Sequence, residues 1–121
     1  MPKILVVDDN AVSRELLRYV LKPLGLEIVE AASGLEALER IAEVHPDLVL
    51  LDLDMPGLDG YGVLQEIGRK PEWADLRVVA VTAYAMQTDR DKAIAAGFDG
   101  YVTKPINAAQ VRRYVEDLLR T

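Results

Sequence analysis

Short apolar runs alternate along this chain with longer stretches in which apolar and polar residues are mixed. Five runs have the length and the flanking turn residues of buried strands: 3–7, 27–31, 48–51, 76–81 and 100–102. The run LVLL at 48–51 is apolar at every position, which is typical of a strand covered on both faces. The pattern predicts a parallel sheet with this run as a central strand.

The mixed stretches show the spacing of amphipathic helices. A first helix follows Asn10, a good N-cap residue, and stops at Pro23 and Gly25. A second begins at the capping box formed by Ser33 and Glu36. We expect its core-facing residues to be Leu35, Leu38, Ile41 and Ala42.

Three further helices are predicted in the second half of the chain. One runs from about residue 60 to 70 after Asp59, and another runs from about 86 to 96 and is closed by Gly97. The last opens at Asn107, and its apolar stripe consists of Val111, Tyr114, Val115, Leu118 and Leu119.

Strict alternation of strand and helix predicts an α/β fold, because right-handed crossovers place helices on both faces of a parallel sheet. We expect one domain over residues 1–121, with five helices and a flavodoxin-like, doubly wound, five-stranded sheet in the order 2-1-3-4-5. In that order the first and third strands are neighbours. Their carboxyl ends then meet at one edge of the sheet, where ligands bind in such folds.

Polar residues follow the predicted strands at that edge. Asp8 and Asp9 follow the first strand and Asp52 follows the third. Thr82 and Lys104 follow the fourth and fifth. Three neighbouring carboxylates repel one another, and a hard divalent cation such as Mg²⁺ relieves that repulsion. A carboxylate can also accept a phosphoryl group if cations and hydroxyls neutralise the transferred oxygens, so the sequence predicts an aspartyl-phosphate site at Asp52.

Charge and composition narrow the classes of partner. The net charge is −6 and the basic residues are scattered, which disfavours direct binding to nucleic acid. No apolar run approaches the length of a membrane span and no signal-peptide pattern opens the chain. The chain has no cysteine, as suits a reducing compartment. We therefore expect a cytoplasmic protein without membrane or nucleic-acid contacts.

Four motifs in register with the predicted strand ends resemble the receiver domain of two-component response regulators, in its single-domain, chemotaxis-regulator-like form. They are VVDDN after the first strand, MPGLDG after Asp52, VTAYA after the fourth strand and YVTKPI after the fifth. The resemblance covers the whole chain. It implies that Asp52 is the phosphoacceptor, with Asp9, Asp52 and the Asp54 backbone carbonyl as Mg²⁺ ligands and Asp8 as a ligand through water.

The resemblance also implies roles for the later strand ends. Thr82 is the switch hydroxyl, Lys104 is the cation that binds the phosphoryl group, and Tyr101 is an aromatic switch whose ring position reports the state. A cis peptide bond is implied before Pro105. Asp54 and Tyr84 occupy positions that vary in the family and line the water route to the acyl phosphate.

The implied function is signalling without turnover of external substrates. A sensor histidine kinase or a phosphotransfer protein is the expected donor, since the single His45 lies in a predicted turn. The expected effector is a protein that binds the surface of helix 4, strand 5 and helix 5. Because the sequence ends at Thr121, just after the fifth helix, we expect output through protein contact.

Two alternatives belong to other classes. Asp52-Leu53-Asp54 has the spacing of the nucleophile and general acid in haloacid-dehalogenase-type phosphatases and phosphotransferases. Two features count against this alternative. That motif normally follows the first strand, and the chain has no room for the cap that shields such sites. The other alternative is a pseudo-receiver that serves only as a binding scaffold. Steady turnover of phosphomonoesters would favour the phosphatase, and failure to bind Mg²⁺ would favour the scaffold.

Overall fold

The computed structural model describes residues 1–120, so Thr121, the last residue of the expected domain, lies outside the described residues. Strands and α-helices alternate along these residues, and a short 3₁₀ turn at Lys22–Leu24 follows the first α-helix. Their bounds are β1 Lys3–Val7, α1 Ala11–Leu21, β2 Glu27–Ala31, α2 Gly34–Val44, β3 Leu48–Asp52, α3 Gly60–Gly68, β4 Arg77–Thr82, α4 Gln87–Ala96, β5 Gly100–Thr103 and α5 Ala108–Arg120. None of these helices is long and apolar enough to cross a bilayer.

The five strands form one parallel sheet in the order β2-β1-β3-β4-β5, which confirms the predicted fold. All five residues of β3 are buried, in agreement with its central position. One apolar cluster joins the sheet to residues of α2, α3 and α4, and a second joins it to residues of α1 and α5. Both faces of the sheet are therefore covered.

Four helices begin at the cap residues that the sequence indicates. The side chains of Asn10, Ser33, Asp59 and Asn107 each accept a hydrogen bond from a backbone N–H two or three residues later. These bonds satisfy amides that have no partner within the helix. Helix α2 ends at Val44, and the next residue, His45, adopts a left-handed conformation with φ of 50° and thus is the turn residue that we expected.

The predicted inward face of α2 is partly wrong. Leu35 is 66% exposed and Ala42 is exposed, whereas Gly34, Ala37 and Ile41 are buried. Small residues decide this orientation, because a Cβ atom on Gly34 would lie 2.3 Å from the backbone oxygen of Leu58. The backbone of α2 can therefore approach the loop before α3 only along its glycine side.

Some element boundaries also differ from the predicted ones. Helix α3 ends at Gly68, and the expected loop after it contains a short 3₁₀ turn at Pro71–Trp73. Strands β4 and β5 both extend to a threonine, because Thr82 pairs with Thr103 in the ladder. The sheet therefore continues to the edge that carries the polar residues.

Candidate functional site

Three carboxylates meet at the carboxyl edge of the sheet. Side-chain oxygens of Asp8, Asp9 and Asp52 all lie within 4.8 Å of one another. The adjacent pairing of β1 and β3 brings them together, since Val7 and Leu51 are partners in the ladder. Asp8 and Asp52 are only 1% and 3% exposed, whereas Asp9 is exposed. The cluster is thus a cleft with two buried acids and one at its mouth.

Each buried carboxylate has one oxygen bound to the backbone and the other directed at a lysine. Asp8 Oδ1 accepts from the Asn10 amide at 2.9 Å, and Asp52 Oδ1 accepts from the Asp54 amide at 3.1 Å. The Lys104 ammonium lies 3.0 Å from Asp8 Oδ2 and 3.6 Å from Asp52 Oδ2. These contacts fix the orientation of both carboxyl groups.

Lys104 is placed by the end of β5. Its amide donates to the Thr82 carbonyl at 2.7 Å, and the peptide bond that joins it to Pro105 is cis. Burial lowers the pKa of the Lys104 ammonium, but the hydrogen bond to Asp8 and the charge of Asp52 outweigh burial and leave the pKa above its usual value. Lys104 therefore stays charged at neutral pH.

The single lysine does not balance the acidic cluster. Burial raises the pKa of the Asp52 carboxyl, and the negative charge of Asp8 adds to that rise. The Asp54 amide and the Lys104 ammonium offset this only in part, so the pKa of Asp52 lies above its usual value. A set of carboxylate oxygens with an unfavourable excess of negative charge fits a hard divalent cation.

Thr82 and Asp54 form a contact that the sequence did not predict. Thr82 is fully buried, and its hydroxyl donates to Asp54 Oδ2 at 3.0 Å. We expected the role of Asp54 to come from its backbone carbonyl. The Asp54 carboxylate instead has a partner of its own across the cleft. This contact depends on the path of the loop after β3, so the spacing of residues in the sequence does not predict it.

The Tyr101 ring is buried beside this contact. It is 2% exposed, and its hydroxyl donates to the carbonyl oxygen of Tyr84. A cavity of about 290 Å³ lies next to the ring and is lined by Leu53, Asp54, Asp59, Tyr61, Thr82, Tyr84, Asp89, Lys92 and Tyr101. Residues at the tips of β3, β4 and β5 thus share one cavity.

An ion-pair network behind Asp8, which the sequence did not predict, consists of Arg14, Arg18 and Glu30. The Arg14 guanidinium donates to the Asp8 carbonyl at 2.6 Å and to Glu30 Oε1 at 3.0 Å, and Arg18 donates to Glu30 Oε2 at 2.9 Å. Burial raises the pKa of Glu30, but the hydrogen bonds from Arg18 and Arg14 outweigh it and hold the pKa below its usual value. The sequence signal for this network was an acidic residue, Glu30, within an edge strand that is otherwise largely apolar; it lies opposite Val6.

The fold and the acidic cleft together define a receiver module of two-component signalling. The chain belongs to the response regulator receiver domain family, whose model matches residues 4–116. This agrees with the family resemblance of the sequence motifs.

Individual relatives support the same assignment. The chain is 35% identical over 115 residues to the polar-differentiation response regulator DivK of Brucella ovis, covering 95% of this chain and 91% of that protein. It is 39% identical over 118 residues to the ycf27 protein of Porphyridium aerugineum, covering 98% of this chain but 48% of that protein. The chain therefore spans about half the length of the ycf27 proteins that it matches.

A solved structure extends the comparison to the site. The receiver domain of a Pseudomonas aeruginosa sensor histidine kinase superimposes with a TM-score of 0.89 at 30% sequence identity, covering 99% of this chain and 98% of that one. That structure has a magnesium ion coordinated in the active site cleft. The present sheet carries the acidic cluster of Asp8, Asp9 and Asp52 at its carboxyl edge.

Proposed function

We propose that this receiver accepts a phosphoryl group on Asp52 and thereby switches a protein-binding surface. One observation carries the proposal: Asp52 is buried at the tip of the central strand with Asp8 and Asp9 beside it and the Lys104 ammonium 3.6 Å away. A buried acid with this amount of surrounding charge is unusual for a purely structural residue. It is well suited to a nucleophile whose product carries more negative charge.

We propose Asp9, Asp52 and the Asp54 carbonyl as direct Mg²⁺ ligands and Asp8 as a ligand through water. The donor set is entirely oxygen, which is the preference of this cation. When bound, Mg²⁺ would neutralise charge on the oxygens of the transferred phosphoryl group. The Lys104 ammonium is already directed at Asp8 and Asp52, so it lies close to the oxygens that a phosphoryl group on Asp52 would present.

The chemical step is a displacement at phosphorus. An Asp52 carboxylate oxygen forms the new P–O bond while the P–N bond of a phosphohistidine breaks, and the imidazole leaves with the electron pair of that bond. Lys104 and the Thr82 hydroxyl then donate to oxygens of the new acyl phosphate. The phosphoryl group remains on the protein, which is the property of a switch.

Two exposed surfaces are assigned to partners. Helix α1 begins directly after the acid pair and exposes Val12, Leu16 and Tyr19, and we assign this face to the histidine kinase or phosphotransfer protein that acts as donor. Tyr84, Met86 and Ile94 are exposed on and beside α4. We assign the surface of α4, β5 and α5 to the effector, because Lys92 of α4 and Tyr101 of β5 line the cavity that also contains Thr82.

The haloacid-dehalogenase-type alternative is not favoured, since the receiver family model covers nearly the whole chain. Measuring phosphate release and protein-bound phosphate in one reaction distinguishes a receiver, which retains the phosphoryl group, from a phosphatase, which releases it. With acetyl phosphate and Mg²⁺, we expect the wild type to retain up to one equivalent of phosphoryl group and Asp52→Asn to retain none. With p-nitrophenyl phosphate, we expect no sustained turnover. Steady turnover of this ester that Asp52→Asn abolishes would contradict the proposal.

A further inference from the structure

Four hydrogen bonds link Asp52 to the Tyr101 ring. The Asp54 amide donates to Asp52 Oδ1 at 3.1 Å, and Asp54 Oδ2 accepts from the Thr82 hydroxyl at 3.0 Å. The Tyr84 amide donates to Thr82 Oγ1 at 3.2 Å. The Tyr101 hydroxyl donates to the Tyr84 carbonyl oxygen. The series connects the proposed phosphoacceptor to the buried ring without a gap.

The chemistry of the groups fixes the direction of these bonds. An ionised carboxylate can only accept and a backbone amide can only donate, so the single hydroxyl proton of Thr82 is directed at Asp54. A phosphoryl group on Asp52 would present further acceptor oxygens in the same cleft. Asp54 and the phosphoryl group would therefore compete for one proton.

We propose that the Asp54 carboxylate is a positioning residue that holds the Thr82 hydroxyl in the unphosphorylated protein and so keeps the Tyr101 ring buried. The inference rests on the proposed function, because Asp54 occupies the place of the phosphoryl oxygens as acceptor. Residues 82–84 are then already in the conformation in which the Tyr84 carbonyl oxygen accepts the hydrogen bond from the Tyr101 hydroxyl. Phosphorylation transfers the Thr82 bond from Asp54 to the phosphoryl group. The Tyr101 ring is then buried in both states of the wild type, and the Asp54 carboxylate, released from Thr82 in the cavity beside α4, is the group whose contacts differ between them.

The surroundings single out Asp54 for this role. Thr82 is fully buried, so its hydroxyl proton needs a partner within the protein. Asp59 also lines the cavity, but its Oδ1 caps α3 by accepting from the Gly62 amide at 2.9 Å. Asp89 lines the same cavity from the first turn of α4 and offers a matched control for charge.

The test follows the ring of Tyr101 by NMR in protein labelled with ¹³C-tyrosine, with Tyr101→Phe to assign its signals. In unphosphorylated Asp54→Ala, which keeps the backbone carbonyl, we expect the Tyr101 ring shifts to move toward those of Tyr19, which is 75% exposed. Asp54→Asn retains an oxygen acceptor and should keep the ring buried. Asp89→Asn removes the same charge from the cavity and should leave the ring signals unchanged.

Phosphorylation of Asp54→Ala with acetyl phosphate and Mg²⁺ should return the ring signals to their buried positions. An unchanged Tyr101 ring in unphosphorylated Asp54→Ala would overturn the inference, as would an equal displacement in Asp89→Asn. These readings do not depend on phosphorylation. Absence of a phosphoryl adduct on the wild type would instead count against the proposed function, so the two failures are distinguishable.

Discussion

At the residue scale, the charge of Lys104 helps to stabilise two buried acids that lie side by side. Its ammonium lies 3.0 Å from Asp8 and 3.6 Å from Asp52, and its side chain is 30% exposed. Breaking a buried ion pair is costly because the partner charge stays behind. The acidic cluster should therefore depend more strongly on a divalent cation once this lysine is removed.

Lys104→Ala should keep the fold but lower the free energy of unfolding by about 1–3 kcal/mol in EDTA, less than for a fully buried pair because the lysine is partly solvated. Mg²⁺ should restore more stability to this variant than to the wild type, because it relieves the repulsion that Lys104 relieved. Urea denaturation with and without Mg²⁺ measures both effects. Arg113→Ala, which removes an exposed cation of α5, is the control. Equal gains from Mg²⁺ in all three proteins would contradict this role.

Glu30 gives a prediction of pH dependence. Its pKa is lowered in the folded protein, so its ion pairs with Arg14 and Arg18 stabilise the fold above the pKa of the unfolded chain, about 4.3. That stabilisation is lost as the pH falls through the lowered pKa. Glu30→Gln should cost about 0.5–1 kcal/mol at pH 7, with allowance for the partial exposure of Glu30, and progressively less toward pH 3. Thermal unfolding at several pH values checks this, and a cost independent of pH would contradict it.

Sequence reasoning at this scale located side chains that follow a strand directly. Asp8 and Asp52 are predictable because each comes immediately after an apolar run, and the sheet order then brings them together. The Thr82–Asp54 bond and the contact of Arg14 with the Asp8 carbonyl were not predictable in this way. Both depend on the path of a loop or the rotamer of a long side chain, which residue spacing does not encode.

At the scale of elements, the start of α3 is packed tightly against the segment that carries the phosphoacceptor. A Cβ atom on Gly60 would lie 2.7 Å from Leu53 Cδ2 and 2.8 Å from the Asp52 carbonyl oxygen. Such distances force the backbone to move. The position of α3 therefore helps to fix the loop after β3, including the Asp54 carbonyl.

Gly60→Ala should lower the free energy of unfolding by about 1–3 kcal/mol and weaken Mg²⁺ binding, because the displaced backbone belongs to the cleft. Gly68→Ala at the other end of α3 is the matched control, since no heavy atom lies within 4 Å of the added Cβ. It should gain about 0.4–1 kcal/mol and leave Mg²⁺ affinity unchanged. Denaturation and Mg²⁺ titration followed by NMR compare the two variants. Unchanged Mg²⁺ affinity in Gly60→Ala would contradict the coupling.

The helices themselves were predictable from periodicity and caps, but their buried faces were only partly so. In α2 the apolar residue Leu35 points outward because Gly34 and Ala37 permit the closest approach to the rest of the protein. Helix α1 likewise buries Leu17, Val20 and Leu21 and exposes Val12. Periodicity favours an apolar stripe, whereas the packing distance depends on small residues that a hydrophobic pattern undervalues.

At the scale of the whole molecule, the sheet order was predictable because few topologies satisfy five alternating units with right-handed crossovers. That order accounts for the position of the cleft. The neighbouring strands β1 and β3 deliver the acids, and β4 and β5 deliver Thr82 and Lys104 at the same edge. The sequence does not identify the donor or the effector, since their binding depends on exposed surfaces that the fold does not constrain.

The measurement that tests the central claim most directly is the intact mass of the protein after incubation with acetyl phosphate and Mg²⁺. The wild type should gain about 80 Da, the mass of one phosphoryl group, and the gain should be absent in EDTA and in Asp52→Asn. Asp59→Asn, which alters a helix cap outside the cluster of three acids, should gain the same mass as the wild type. An adduct that persists in Asp52→Asn, or the lack of any adduct on folded wild-type protein that binds Mg²⁺, would contradict the account.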